Sequence, residues 1–187
     1  MTDRRIALLR GINVGTAKRI AMADLRKLVE GLGYGDVRTL LNSGNVVFTV
    51  PKGVRGDAAA RIEKAIAARL GVKTRVTVVK GAVIAAAVME NPLKDVASND
   101  SLLLVLVPAD RTALTPLKAL LKERWAPEAL ALGAGVAYLW CAEGSVDSPL
   151  WKAANRAMGD RGTTRNMATM TKLAALVEGS PAAGKGK

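Results

Sequence analysis

Apolar and polar positions over the first 80 residues switch repeatedly between the two-residue period of a strand and the 3.6-residue period of a helix. Ile6 to Arg10 reads as a strand. Met22, Leu25, Leu28, Val29 and Leu32 then recur at helical spacing, and the pattern stops at Gly31 to Gly33. Val37 to Leu41 and Val46 to Val50 follow as strands, with Asn42-Ser43-Gly44-Asn45 between them as a hairpin turn by composition. Ile62, Ile66 and Leu70 mark a second helix ending at Gly71, and Thr74 to Val79 a fourth strand. The order β-α-β-β-α-β predicts a split βαβ, ferredoxin-like layer.

Beyond residue 80 the pattern changes character. An alanine-rich helix, Val83 to Glu90, halts around Asn91-Pro92, and Leu102 to Val107 is apolar at every position, as in a strand covered on both faces. Thr115-Pro116 predicts a helix with proline at its first position and Leu117, Leu120 and Leu121 as its core stripe. Val136 to Cys141 reads as a strand, Ser148-Pro149 as the start of a capped helix carrying Leu150, Trp151 and Ala154, and Met167, Met170, Ala174 and Val177 as a terminal helix. The predicted fold class is α+β. A ferredoxin-like first half over residues 1–80 packs against a second α+β half over residues 81–178, and a flexible basic tail covers residues 179–187. No glycine- or serine-rich linker marks the boundary, and no repeat is visible between the halves.

Composition narrows the chemistry. At 187 residues and 50% hydrophobic content the chain can build a real core. No apolar stretch approaches the ~20 residues of a membrane helix, and the N-terminus lacks the features of a secretory signal. The expectation is a cytoplasmic protein with no membrane partner. The single cysteine, Cys141, excludes an internal disulfide and a thiolate zinc cluster, and its strand-like surroundings predict a buried thiol. The chain contains no histidine. Ser-His-Asp and Cys-His catalysis, histidine-bound zinc and imidazole acid/base work are therefore excluded, and no cofactor is predicted.

A net charge of +12 favours phosphate-rich partners, nucleic acid among them, although the cations are scattered and part of the excess lies in the tail. An RNA-recognition module shares the strand order of the first half but stacks bases on strand aromatics. Here the first strand has none and the third has only Phe48.

Three polar segments are candidate sites. In the first, Arg10-Gly11-Ile12-Asn13-Val14-Gly15, the nucleotide-binding glycine signatures are absent. What remains is a strand-to-helix loop with Arg10, Asn13, Lys18 and Arg19 as donors, able to hold an anion near a helix N-terminus. The competing reading is that Gly11 and Gly15 simply permit positive φ. In the second, a helix beginning near Asn166 would set Arg165, Thr169 and Lys172 at i, i+4 and i+7 on one face, opposite Met167, Met170 and Ala174. Such a stripe could grip phosphate or carboxylate, or be a capped helix with a solvated face. The third, Asn42 to Asn45, is most simply a turn; Ser43 would need a lysine base to act as a nucleophile. Asp57, Glu63, Asp95, Asp100 and Asp110 read as surface carboxylates, with no magnesium spacing.

"ALLRGINVG", "MADLRKLVEGLGYGDVRT", "NSGNVVF" and "TTRNMATMTKL", in that order, resemble the bacterial domain of unknown function 1697 family from Ile6 to Val177. The resemblance implies a two-part α+β protein with a ferredoxin-like first half and no established activity. Its motif positions fall on Arg10, Gly11, Asn13, Gly15, Ser43, Gly44, Asn45, Thr164, Arg165, Asn166, Thr169 and Lys172. Three positions depart from the family pattern: Thr16 stands for a second glycine, Asn42 for a glutamine and Met167 for a tryptophan. The functional expectation is an anionic ligand, phosphate-containing or nucleic-acid backbone, bound in a cleft between the halves by Arg10, Asn13, Ser43, Asn45, Arg165 and Lys172. The alternatives are a histidine-independent enzyme acting on a phosphorylated or carboxylated small molecule, and an oligomerising structural protein.

Overall fold

The computed structural model describes residues 4–15 and 18–179. The chain divides into two compact units, one up to Gly81 and one from Ala82 onward.

In unit 1, β1 (Arg4–Leu9), α1 (Met22–Gly31), β2 (Gly35–Leu40), β3 (Asn45–Thr49), α2 (Ala58–Leu70) and β4 (Val76–Lys80) follow the predicted order. They form a four-stranded sheet of order β2-β3-β1-β4 with antiparallel neighbours. Alternation along β1 and β3 turns Ala7, Leu9, Val46 and Phe48 toward Leu25, Leu28 and Val29 of α1 and Ile62 and Ile66 of α2. Asp57 caps α2 by accepting from the amides of Ala59 and Ala60, so this carboxylate holds a helix end.

Unit 2 opens with α3 (Gly81–Met89), followed by β5 (Leu103–Pro108), a 3-10 turn (Arg111–Leu114), α4 (Leu117–Leu120), β6 (Ala129–Gly133), β7 (Val136–Trp140), α5 (Pro149–Met158), β8 (Gly162–Asn166) and α6 (Met167–Glu178). Its sheet order is β6-β7-β5-β8, again antiparallel. Substituting β5, β6, β7 and β8 for β1, β2, β3 and β4 reproduces the order of unit 1. The split βαβ architecture therefore occurs twice, a structural repeat that the sequence pattern hides.

Three expectations are corrected in unit 2. The strands β6 and β8 are additional: Ala129–Gly133 is half-buried throughout, and Gly162–Asn166 contains no aliphatic side chain. Pro116 precedes the short α4 as its N-cap, and Leu121 is 45% exposed instead of joining the core. Arg165 lies in β8 and not on the terminal helix. Ser148 and Pro149 start α5 as predicted, with Ser148 Oγ accepting from the Trp151 amide at 2.8 Å. Cys141 is buried, and burial raises its thiol pKa. No described helix is long and apolar enough to cross a membrane.

Candidate anion-binding site

The Asn13 side chain holds the loop behind β1. Asn13 has φ of 55°, and its Oδ1 accepts from the Ile20 amide at 2.8 Å. Its Nδ2 donates to the Ile20 carbonyl at 2.9 Å and to the Asn42 carbonyl at 2.7 Å. Asparagine tolerates the left-handed region, and its amide can serve a donor and an acceptor at once, which accounts for this residue type here. The last of these bonds ties the loop to the β2–β3 turn.

Packing reinforces the tie. The Gly44 carbonyl accepts from the Leu9 amide at 2.9 Å, and φ at Gly44 is 76°. A Cβ at Gly44 would lie 2.7 Å from Ile12 Cδ1 and 2.8 Å from Leu9 Cβ, so only glycine fits. Asn45 is fully buried, and its Nδ2 donates to the Leu40 carbonyl at 2.8 Å and to Ser43 Oγ at 2.9 Å. The first and third polar segments thus converge in unit 1, with their two asparagine amides engaged in building the loops. The turn runs from Leu41 to Gly44, one residue earlier than composition suggests. The Asn13 bond reaches the main chain of Asn42, so the asparagine side chain at position 42 is not what the staple uses.

The cations of this loop face outward: Lys18 and Arg19 are exposed and Arg10 is half-buried. Gly11 and Gly15 both have φ of 62°, and among the described residues nothing beyond their chain neighbours lies within 4 Å of an added Cβ. Thr16 lies outside the described residues.

Sequence reasoning missed the neighbouring edge. The Arg10 amide donates to the Arg75 carbonyl at 2.9 Å, and Thr74 Oγ1 donates to the Arg10 carbonyl at 2.7 Å. Glu63 on α2 joins them, its Oε1 accepting from the Val76 amide at 2.7 Å and its Oε2 lying 3.6 Å from Arg75 Nη1. Glu63 is therefore a structural link and not a solvated surface carboxylate. The signal for Arg75 was its place next to β4, but periodicity absorbed it into the strand.

The segment after residue 162 has a different geometry from the predicted stripe. Arg165 is buried in β8, where its Nη1 donates to the Thr164 carbonyl at 2.8 Å and to Thr163 Oγ1 at 3.2 Å. Burial pulls its pKa down to about 10, which still leaves the guanidinium charged at neutral pH. Asn166 is the N-cap of α6, accepting from the Thr169 amide at 2.9 Å; Thr169 is buried and Lys172 exposed. Thr164 Oγ1 is buried with no hydrogen-bond partner among the described residues. Met167 is 3% exposed, so the residue standing for the family's tryptophan belongs to the core. The segment lies wholly in unit 2, apart from the unit 1 loops in fold assignment. Residues 180–187 of the expected tail lie outside the described residues, and Gly179 ends α6 in the left-handed conformation.

An open cavity of about 200 Å³ in unit 2 is lined by Trp125, Pro127, Glu128, Glu143, Asp147 and Ser148 among others, none of them a predicted site residue. Among the described residues, no group of three or more Cys, Asp or Glu is placed to hold a metal ion.

Fold and site together define a histidine-free α+β protein made of two split βαβ units, the first bearing a stapled basic loop. The chain belongs to the DUF1697 family, proteins of unknown function, whose family model matches residues 1–138. That match includes the first and third polar segments and ends before the second, at 164–172. Among solved structures, a protein described as "conserved bacterial protein SP0830 from Streptococcus pneumoniae" matches with a TM-score of 0.70 and 21% identity. The match covers 95% of this chain and 99% of that one, a likeness of fold. No curated protein matches.

Proposed function

We propose that the protein binds an anionic, phosphate-containing ligand through the Arg10–Ile20 loop of unit 1. One observation carries this reading: φ is positive at Gly11, Asn13 and Gly15 and negative at Ile12 and Val14 between them. Alternating backbone of this kind can form a concavity of amides suited to oxyanions, although here the Asn13 amide itself donates to the Lys18 carbonyl at 3.1 Å. Strained non-glycine backbone persists only where its surroundings hold it, and Asn13, Lys18 and Leu41, all with positive φ, lie in these two converging loops. The Asn13 side chain provides that hold. Arg10, Lys18 and Arg19 add positive charge to the same loop, and Ser43 adds a hydroxyl on the adjoining turn.

In this reading Asn13 and Asn45 shape the site, while Arg10, the backbone at Gly11 and Gly15, and Ser43 touch the ligand. Calorimetric titration of the full chain with inorganic pyrophosphate and with a short single-stranded RNA tests it. Arg10→Ala should weaken pyrophosphate binding about tenfold or more, since a charge-assisted hydrogen bond contributes ~1.5–3 kcal/mol. Lys172→Ala, which removes one exposed cation of unit 2, should change it less than about twofold. Equal losses in both variants would reduce the effect to general attraction by the net charge. RNA binding that collapses with salt would instead point to a nucleic-acid backbone.

A further inference from the structure

Each sheet ends in two edge strands, β2 and β4 in unit 1 and β6 and β8 in unit 2. Three of the four contain charge: Asp36 and Arg38 in β2, Lys80 in β4 and Arg165 in β8. β2 is guarded further, with Asp36 and Arg38 in an ion pair at 3.0 Å and a register that shifts against β3 between Gly35 and Arg38. Charges and bulges are the usual means by which an edge avoids pairing with another strand. β6 has neither. Ala129-Leu130-Ala131-Leu132-Gly133 contains no charge and no proline, each residue is half-buried, and its five pairings with β7 run without a shift.

The turn fixes which backbone groups of β6 face outward. Ala134 and Gly135, with φ of 51° and 76°, join β6 to β7 as a two-residue hairpin. In such a hairpin the residues that flank the loop, here Gly133 and Val136, exchange hydrogen bonds, and bonded and non-bonded pairs then alternate along the ladder. Ala131 with Tyr138 and Ala129 with Trp140 are therefore the other bonded pairs. The N–H and C=O groups of Leu130 and Leu132 point away from β7. Among the described residues no hydrogen bond from outside the ladder reaches Ala129–Gly133.

From this edge we infer that β6 pairs antiparallel with β6 of a second copy of the chain, joining two unit 2 sheets into one of eight strands. The strand is self-complementary. A two-fold axis at Ala131 sets that residue opposite its own counterpart, each Leu130 opposite a Leu132 and each Ala129 opposite a Gly133. The outward groups of the leucines then make four backbone hydrogen bonds. Leu130 and Leu132 already pack against the helix-side core of unit 2, so their pairs extend that core across the joint. No charged residue enters this register, whereas an axis at Leu130 would set Glu128 against Leu132. One strand and two leucine pairs fall short of the ~1,200 Å² of a stable interface, so the dimer is dissociable.

Sedimentation equilibrium of the full chain over a range of concentrations should show a monomer–dimer equilibrium. It should tighten with salt, which screens the repulsion between two copies at +12 each. Ala131→Lys sets like charges opposite each other at the axis and should weaken dimerisation at least tenfold. Ala131→Cys tests the register without adding charge. Residues of a non-bonded pair lie ~4.5 Å apart between Cα atoms, within disulfide reach, so diamide should cross-link it at least tenfold faster than Ala129→Cys, whose counterpart is Gly133. Cys141 is buried with a raised thiol pKa and adds no competing cross-link. A chain that is monomeric at every concentration overturns the inference and leaves the edge to a strand of another protein or to solvent. A dimer that Ala131→Lys leaves intact overturns it as well. If Ala131→Lys fails to fold, cross-linking decides: selectivity for position 131 supports the pairing, and equal rates at 131 and 129 overturn it.

Discussion

Units 1 and 2 have the same strand order, and their hairpins share a further detail: Leu41 and Gly44 in one, Ala134 and Gly135 in the other, have φ of 55°, 76°, 51° and 76°. In unit 2 the two residues are adjacent and make a tight turn whose twist matches its strands. In unit 1 Asn42 and Ser43 separate them, and the longer turn folds onto the loop behind β1. That loop differs too. In unit 1 Asn13 staples the chain behind β1 to Ile20 and Asn42, whereas β5 leads through Ala109 and Asp110 straight into a 3-10 turn. Sheet order is set by buried strands and is kept; the connections at the strand ends can diverge without exposing the core, so function can reside there.

The largest expected effect separates two glycines of equal φ. Gly44→Ala should destabilise the protein by roughly 2–4 kcal/mol, because left-handed strain adds to overpacking against Ile12 and Leu9. Gly135→Ala, with nothing among the described residues beyond its chain neighbours within 4 Å of its Cβ, should cost only about 1 kcal/mol. Chemical denaturation measures both, and similar losses would mean that the close approach at Gly44 is relieved at little cost.

Next in size is Asn13→Ala. Loss of the bonds to Ile20 and Asn42 should cost about 2 kcal/mol in denaturation and speed amide exchange across residues 10–20. Unchanged exchange would remove the staple from the comparison.

A smaller effect is expected at Asp110 in unit 2. Its carboxyl pKa is lowered in the folded chain by the Thr112 hydroxyl first, with Arg161 and the Thr112 and Ala113 amides adding to it. The stability it contributes is present above the unfolded value of about 3.9 and is lost as pH falls through the lower folded value. Asp110→Asn should therefore melt lower than the parent at pH 7, and the gap should close in strong acid. A gap that persists there would assign the effect to the cap geometry alone. Smallest of all, Lys172→Ala should leave stability within about 0.5 kcal/mol, as at most exposed positions.

Unit 1 was legible because each of its strands contains enough apolar side chains to mark its period, as Ile6 to Leu9 and Val46 to Phe48 do. Unit 2 was not. Gly162-Thr163-Thr164-Arg165-Asn166 carries no aliphatic residue, and its extended form comes from pairing with β5 in a register that no local pattern encodes. The same blindness assigned Arg165 to a helix and buried Arg75 in a predicted strand. Gly162 gives the tertiary reason for its own identity: a Cβ there would lie 2.6 Å from the Val107 carbonyl oxygen and 2.7 Å from Met158 Sδ.

Local chemistry in the chain was sufficient for the helices, the apolar strands, the Ser148-Pro149 cap, the buried thiol and the exclusion of histidine chemistry. Each depends on residues within a turn or two of one another, where periodicity and capping act. Strand order, the second split βαβ unit, the staple from Asn13 to Asn42 and the bond from Thr74 to Arg10 were decided only by the folded structure. The last two join residues 29 and 64 positions apart, and such pairings depend on which buried surfaces fit together once the chain has collapsed.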